Sequence, residues 1–206
     1  MTREELTEDL AYVRALAEEG RHAPLLGGAY LLFWGLLNLG AYLAHWGLLT
    51  ESLPRFGGQG FALLWTAYGV VAGGGMALLI HRLRDKPGKS AIGVRAERAI
   101  WSGVGIAMFA IVIGCLGRMA LTSDMQAPNA ILAPAFAFFG LALTTIAAMA
   151  GEKWLSAFAA LSFAASIALG LFANEPWAYL LAAASSAVVL AIPGVILMRR
   201  EPSALV

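Results

Sequence analysis

Charged residues are scarce in this chain. Only 13% of its 206 residues are Asp, Glu, Lys or Arg, whereas roughly a quarter of an average soluble domain is charged. Hydrophobic residues make up 60%, and they occur in long blocks that a soluble core of this size does not absorb. This excludes an ordinary soluble globule. The composition therefore predicts a protein whose solvent is a lipid bilayer.

Groups for catalysis or metal binding are also few. Cys115 is the single cysteine, which excludes an internal disulfide and a paired-cysteine zinc or redox site. The histidines, His22, His45 and His81, lack the i, i+4 partner of a helical metal pair. No Asp or Glu falls within the apolar blocks, which argues against ion-coupled transport and intramembrane catalysis. We therefore predict a protein that is not an enzyme, with no catalytic residues, no metal and no cofactor.

Six apolar blocks are each long enough to cross the roughly 30 Å hydrocarbon core as a helix. They predict an all-α integral membrane protein, a compact bundle of six transmembrane helices over residues 24–198. The spans are about 24–49, 60–83, 99–121, 130–150, 154–173 and 176–198. Residues 1–23 precede the bundle, and residues 199–206 form a short tail. The last three spans have very short connections, which predict antiparallel neighbours.

The distribution of Lys and Arg predicts the orientation. Of the 14 basic residues, only Arg55 and Arg118 fall on one side of the predicted bundle, and the other twelve fall on the opposite side. Cytoplasmic loops retain positive charge, so both termini are predicted to be cytoplasmic in a multi-pass protein of the cell inner (plasma) membrane. The total net charge of +1 gives no reason to expect nucleic acid as a partner.

One polar stripe stands out in the first span. Asn38, Tyr42 and His45 are spaced i, i+4, i+7, so they share one helical face that runs towards the outer side. Arg118 lies about one turn inside the outer end of the third span, with acids Glu51, Asp124 and Glu175 in outer loops. We predict an outer pocket in which Arg118 and the three residues of the stripe bind an anionic group. In the alternative interpretation, Arg118 extends to the outer headgroups and Asn38 bonds to a neighbouring helix.

Small residues recur at intervals of four in the second span, at Gly69, Gly73 and Ala77. This Gly-x-x-x-Gly spacing is typical of close contact between membrane helices. Serines in the last two spans, among them Ser162, Ser166 and Ser186, are interpreted as further packing residues because no histidine on the same span activates them.

An acidic amphipathic helix is predicted before the bundle, over residues 2–19. Residues 1–20 contain six acids and two arginines, whereas residues 82–98 contain six bases and two acids. Both segments face the same side, so they either dock on each other or, in the functional alternative, the helix recruits a protein partner or a second copy. The predicted partner-binding residues are those of its apolar face and its neighbouring acids: Leu6, Leu10, Val13, Glu8 and Asp9. The basic segment is also predicted to attract anionic lipid.

These features favour a non-enzymatic sensor, scaffold or accessory subunit with a partner-binding cytoplasmic face. The alternative is a transporter or channel for a small solute or lipid that uses the polar pocket in the outer half of the bundle. A water-accessible path through the bundle would favour the alternative.

Overall fold

The computed structural model describes residues 12, 25, 27–53, 59–84 and 92–200, and within them every regular element is helical. Six helices follow one another: α1 (Gly28–Leu49), α2 (Gly60–Leu83), α3 (Ile92–Thr122), α4 (Leu132–Ala150), α5 (Leu155–Leu171) and α6 (Ala178–Arg200). A 3₁₀ segment, Ala127–Ile131, leads into α4. The predicted all-α fold is confirmed. The predicted helix over residues 2–19 lies outside the described residues, apart from Tyr12.

Helix bounds follow the local sequence signals in most places. Helix α2 has the predicted bounds, whereas α3 begins at Ile92, seven residues before the predicted start at residue 99. Gly151 closes α4 in the left-handed conformation, with φ of 69°, and the amide of Glu152 bonds back to the carbonyl of Ala147. Pro128 lies in the first turn of the 3₁₀ segment, where its missing N–H leaves no bond unmade.

Helix α6 is interrupted by a π-helical turn at Ala187–Ala191. Pro193 lies two residues after this turn. It has no N–H to donate a hydrogen bond to the carbonyl four residues before it, and its ring crowds the preceding turn. The helix widens at this point, and the amide of Ile192 bonds to the carbonyl of Ala187, five residues back. The turn therefore has a local cause in the sequence.

For the description below, the upper end of the bundle contains the connections 50–59, 123–131 and 172–177, and the lower end contains 84–91 and 151–154. Helices α1, α4, α5 and α6 form the core. Two buried clusters lie along it, one in the lower half around Leu143, Leu155 and Leu190, and one in the upper half around Phe136, Leu169 and Tyr179. Helix α2 packs on α1, and α3 packs on α4 and the 3₁₀ segment.

Hydrogen bonds from side chains join two of the core helices. Ser162 on α5 donates to the carbonyl of Phe136 on α4 at 2.7 Å, and Ser166 donates to the carbonyl of Ala133 at the same distance. Ser186 instead bonds within α6, to the carbonyl of Ala182. Two of these three serines therefore bond between helices, as polar residues do at helix interfaces in membranes.

Helices α1 and α6 make a close backbone contact. A Cβ atom placed on Gly35 would lie 2.5 Å from the backbone nitrogen of Ala191, and one on Gly194 would lie 2.5 Å from that of Leu32. At Gly28, the nearest atoms are again backbone atoms of α6, those of Met198 and Gly194. The two backbones approach so closely that only glycine fits at these positions.

The small residues predicted to pack, Gly69, Gly73 and Ala77, lie on an exposed side of α2. No atom lies within 4 Å of the position that a Cβ would take at either glycine. A different side of α2 faces α1, and there Gly75 packs against the ring of Phe33. Within the described chain, the glycines of α2 that contact α1 are therefore Gly60 and Gly75, and packing at Gly69 and Gly73 stays a prediction.

We expect Gly35→Ala and Gly194→Ala each to lower the stability of the bundle by about 1–3 kcal/mol, because the added methyl group forces two backbones apart. Gly40→Ala is the matched control on α1, since nothing lies within 4 Å of its Cβ position. That change should be neutral or stabilising, because alanine is the better helix former. Thermal unfolding of the purified variants in detergent measures the difference. Equal losses at Gly35 and Gly40 would contradict the close contact.

Candidate functional site

The predicted polar stripe lies on the buried face of α1. Asn38, Tyr42 and His45 are 4%, 7% and 9% exposed. Together with Gly28, Leu31 and Gly35 they follow a spacing of three and four residues, which keeps them on one seam of the helix. The residues of this seam are small or apolar where α1 meets the lower part of α6, and they are polar or aromatic in the upper half of the bundle. The stripe is therefore a continuation of a packing surface.

Two hydrogen bonds connect the stripe to α2. The hydroxyl of Tyr68 donates to Oδ1 of Asn38 at 2.8 Å, and Nε1 of Trp65 donates to Nδ1 of His45 at 3.1 Å. Since Nδ1 accepts, the ring proton of His45 is on Nε2. Trp65 and Tyr68 are three residues apart, so one turn of α2 supplies both donors. These bonds fix how α2 is placed along α1.

Aromatic rings enclose the upper half of the stripe. The His45 ring stacks on Tyr179 of α6, with ring centres 3.8 Å apart and planes inclined by 14°. Tyr42 lies between Trp65 and Tyr179, with each ring centre 6.3 Å away. Aromatic pairs at such distances contribute roughly 0.5–1.5 kcal/mol each beyond the burial of their surface. The cluster therefore joins α1, α2 and α6 at one level.

The same network extends to the upper loops. The hydroxyl of Tyr179 donates to Oδ1 of Asn129 in the 3₁₀ segment, and Nδ2 of Asn129 donates to Oδ1 of Asn174, between α5 and α6, at 3.1 Å. One tyrosine therefore contacts His45 with its ring and the connections at the upper end with its hydroxyl. We call Asn38, Tyr42, His45, Trp65, Tyr68 and Tyr179 the upper polar cluster.

Arg118 is separate from this cluster. Its Nη2 atom lies 2.8 Å from Oδ2 of Asp124, one of the three acids considered as its partner, and its side chain is 66% exposed. Its helix, α3, packs on α4 and the 3₁₀ segment, whereas the stripe packs against α2 and α6. The structure therefore brings three of the four predicted ligand-binding residues together and places the fourth at another site.

The upper polar cluster positions α1, α2 and α6 relative to one another. Its acceptors on Asn38 and His45 are occupied by donors of the same chain. A shallow depression nearby is lined by residues outside the stripe, namely Leu43, Ala44, Trp46, Gly47, Ser52 and Leu53. In the described part of the chain, no three His, Cys, Asp or Glu side chains gather in a group that would hold a metal ion. A ligand at the stripe stays a prediction.

One buried acid was missed by the sequence analysis. Glu97 is 5% exposed, and its carboxyl group packs against Gly27, at the start of α1. Hydropathy alone places the third span from residue 99, but α3 already begins at Ile92, so Glu97 is inside the helix. The statement that no acid lies in a span is therefore wrong for α3. The early helix start after Pro87 and Gly88 is the signal that would have revealed it.

A second lower-end contact was also missed. Nη1 of Arg200 lies 3.1 Å from Oε2 of Glu152, and its guanidinium lies 5.1 Å from the centre of the Trp154 ring. Nε1 of Trp154 donates to the same carboxylate. An ion pair and a cation–π contact therefore join the end of α6 to the turn between α4 and α5.

The chain was compared with family models, curated proteins and solved structures, and none of them matches it.

We expect Tyr68→Phe to destabilise the bundle by about 1 kcal/mol, because it leaves the buried Oδ1 of Asn38 without its donor. In an Asn38→Leu background the same change should cost markedly less, since the acceptor is then absent. A double-mutant cycle of unfolding free energies in detergent measures the coupling between the two side chains. Full additivity of the two changes would show that the hydrogen bond contributes nothing.

Proposed function

We propose that the chain is a multi-pass membrane protein that acts as a non-enzymatic scaffold, sensor or accessory subunit. The observation that supports it most is exposed apolar surface. Helices α2 and α3 each contain an apolar window of 18 residues in which no residue is buried inside the chain. Water does not tolerate apolar surface of this extent, whereas lipid or a partner helix does.

Helix lengths agree with a bilayer environment. Five helices, of 22 to 30 residues, are long and apolar enough to cross a membrane. Helix α5 is an apolar helix of 17 residues, about 26 Å long at 1.5 Å per residue, which is at the short end of the range for a span. The lower end contains exposed bases on four elements, so the positive-inside rule favours a cytoplasmic lower end, with both termini on that side, in the inner membrane.

The non-enzymatic role is supported by how the polar groups are used. The upper polar cluster bonds to itself and to the upper loops, and Arg118 bonds to Asp124. Such groups fix the register of α1, α2 and α6. The site of partner binding in this proposal is the predicted acidic helix with Leu6, Leu10, Val13, Glu8 and Asp9, which lies outside the described residues.

The topology is tested by the labelling of single cysteines in spheroplasts, in a Cys115→Ala background. We expect Ser52→Cys and Ser123→Cys at the upper end to react with a membrane-impermeant maleimide in intact spheroplasts, and Lys153→Cys only after permeabilisation. The protein should also stay in the membrane pellet after an alkaline wash. Labelling of Ser52→Cys and Lys153→Cys from the same side would overturn the six-span arrangement.

The accessory role is tested by native mass spectrometry of the full chain after gentle extraction from its own membrane. We expect a second polypeptide, or a second copy, that dissociates as salt rises, because exposed charge pairs are screened within about 10 Å at 0.1 M salt. Deletion of residues 1–20 should abolish the complex while the protein stays in the membrane. A complex that persists after the deletion contradicts recruitment by this segment. A retained small molecule that is lost in Arg118→Ala would instead support the transporter alternative.

A further inference from the structure

Exposed positive charge gathers at the lower end of α2 and α3. Arg82 lies in the last turn of α2, and Arg95 and Arg98 lie in the first two turns of α3. All three side chains are exposed, and none forms an ion pair with another described residue. The end of α2 and the start of α3 both lie at the lower end of the bundle, so the three arginines share that end. We call Arg82, Arg95 and Arg98 the basic flank.

The described acids at the lower end do not neutralise the basic flank. Glu97 is buried against Gly27, although it is next to Arg98 in the sequence. Glu152 is engaged by Arg200 and by Trp154, on the core helices. The basic flank therefore presents three guanidinium groups to a partner of opposite charge.

Apolar surface continues from the basic flank along both helices. Leu78 and Ile80 on α2 are 51% and 57% exposed, and Ile106 and Phe109 on α3 are 72% and 67% exposed. Among them, Gly73 and Gly74 on α2 and Gly103 and Gly105 on α3 have open space where a Cβ would be. The two outer helices thus combine a charged end with a long apolar side that no other described part of the chain covers.

We propose that the basic flank binds anionic phospholipid. Lipid phosphates contact these arginines at the headgroup layer, and the acyl chains lie against the exposed apolar sides of α2 and α3. Guanidinium groups bind phosphate oxygens through paired N–H donors, and clusters of basic residues beside a span attract anionic lipid. This inference rests on the proposed function, because it requires the bundle to lie in a bilayer with its lower end at a headgroup layer.

Position favours lipid over a soluble acidic partner. The arginines lie within or at the end of helices α2 and α3, directly beside their apolar surface, so an occupant must combine negative charge with hydrocarbon. An anionic phospholipid has both, and its acyl chains extend along the apolar sides of α2 and α3 within the bilayer, where a soluble acidic peptide does not reach. Lys153 and Arg199 are also exposed at the lower end. They lie in the connection after α4 and at the end of α6, so they are not part of the outer helices α2 and α3.

The experiment titrates the full chain in detergent with phosphatidylglycerol, or with phosphatidylcholine as the zwitterionic reference, and counts bound lipids by native mass spectrometry. We expect phosphatidylglycerol to bind more tightly than phosphatidylcholine. Arg82→Gln with Arg95→Gln should weaken phosphatidylglycerol binding by about tenfold or more, since each basic residue near a lipid surface contributes about 1 kcal/mol. Lys153→Gln with Arg199→Gln removes the same charge at the same end and should have little effect.

Three outcomes would overturn the lipid site. The first is an equal loss in both double variants, which would show diffuse attraction to the whole lower end. The second is no preference for phosphatidylglycerol over phosphatidylcholine. The third is a tenfold gain in affinity only after deletion of residues 1–20, which would make that acidic segment the occupant. The alkaline wash separates these results from failure of the proposed function. A protein that stays in the membrane pellet without lipid preference loses only the lipid site, whereas release from the pellet rejects both proposals.

Discussion

The backbone contact between α1 and α6 is the constraint on which the rest of the structure depends. At Gly35 and Gly194 the two helices approach until one backbone lies where the other would carry a side chain. Such a contact permits very little rotation of either helix, because turning one of them brings a larger residue into the gap. The rotation of α1 is therefore set in the lower half of the bundle. That rotation directs Asn38, Tyr42 and His45 inwards in the upper half.

An inward polar stripe has to be satisfied by its neighbours, since a buried polar group without a partner costs about 1–3 kcal/mol. The solution is a set of aromatic residues with polar tips. Trp65, Tyr68 and Tyr179 fill the apolar space with their rings, and each has one hydrogen-bond donor. Because each donor has a partner at a fixed height, the cluster also specifies how far α2 and α6 are shifted along α1. These polar groups contribute little net stability, but they specify how the helices pack.

The sequence was sufficient to predict six helices, since a long apolar block has few other solutions, and it gave the bounds of α2 correctly. It could not predict which side of each helix is buried. Along most of their length, α2 and α3 lack the polar face that marks the exposed side of a helix in water. The spacing of four predicted packing at Gly69 and Gly73, but the side of α2 that packs on α1 within the described chain carries Gly75. Glu97 was missed because hydropathy averages over a window and places the start of α3 too late. The pairs of the upper polar cluster join residues 20 or more positions apart, beyond any local pattern.

The distribution of charge makes the two proposed partners compatible. Six of the 13 acids lie in residues 1–20, and two of the others, Glu97 and Glu152, are engaged within the bundle. The surface beside α2 and α3 is consequently basic, while the segment before α1 is acidic. An anionic membrane surface attracts the basic surface and repels the acidic segment. Lipid at Arg82, Arg95 and Arg98 and a protein partner at the acidic segment therefore use different parts of the chain, and neither proposal requires the other site to be empty.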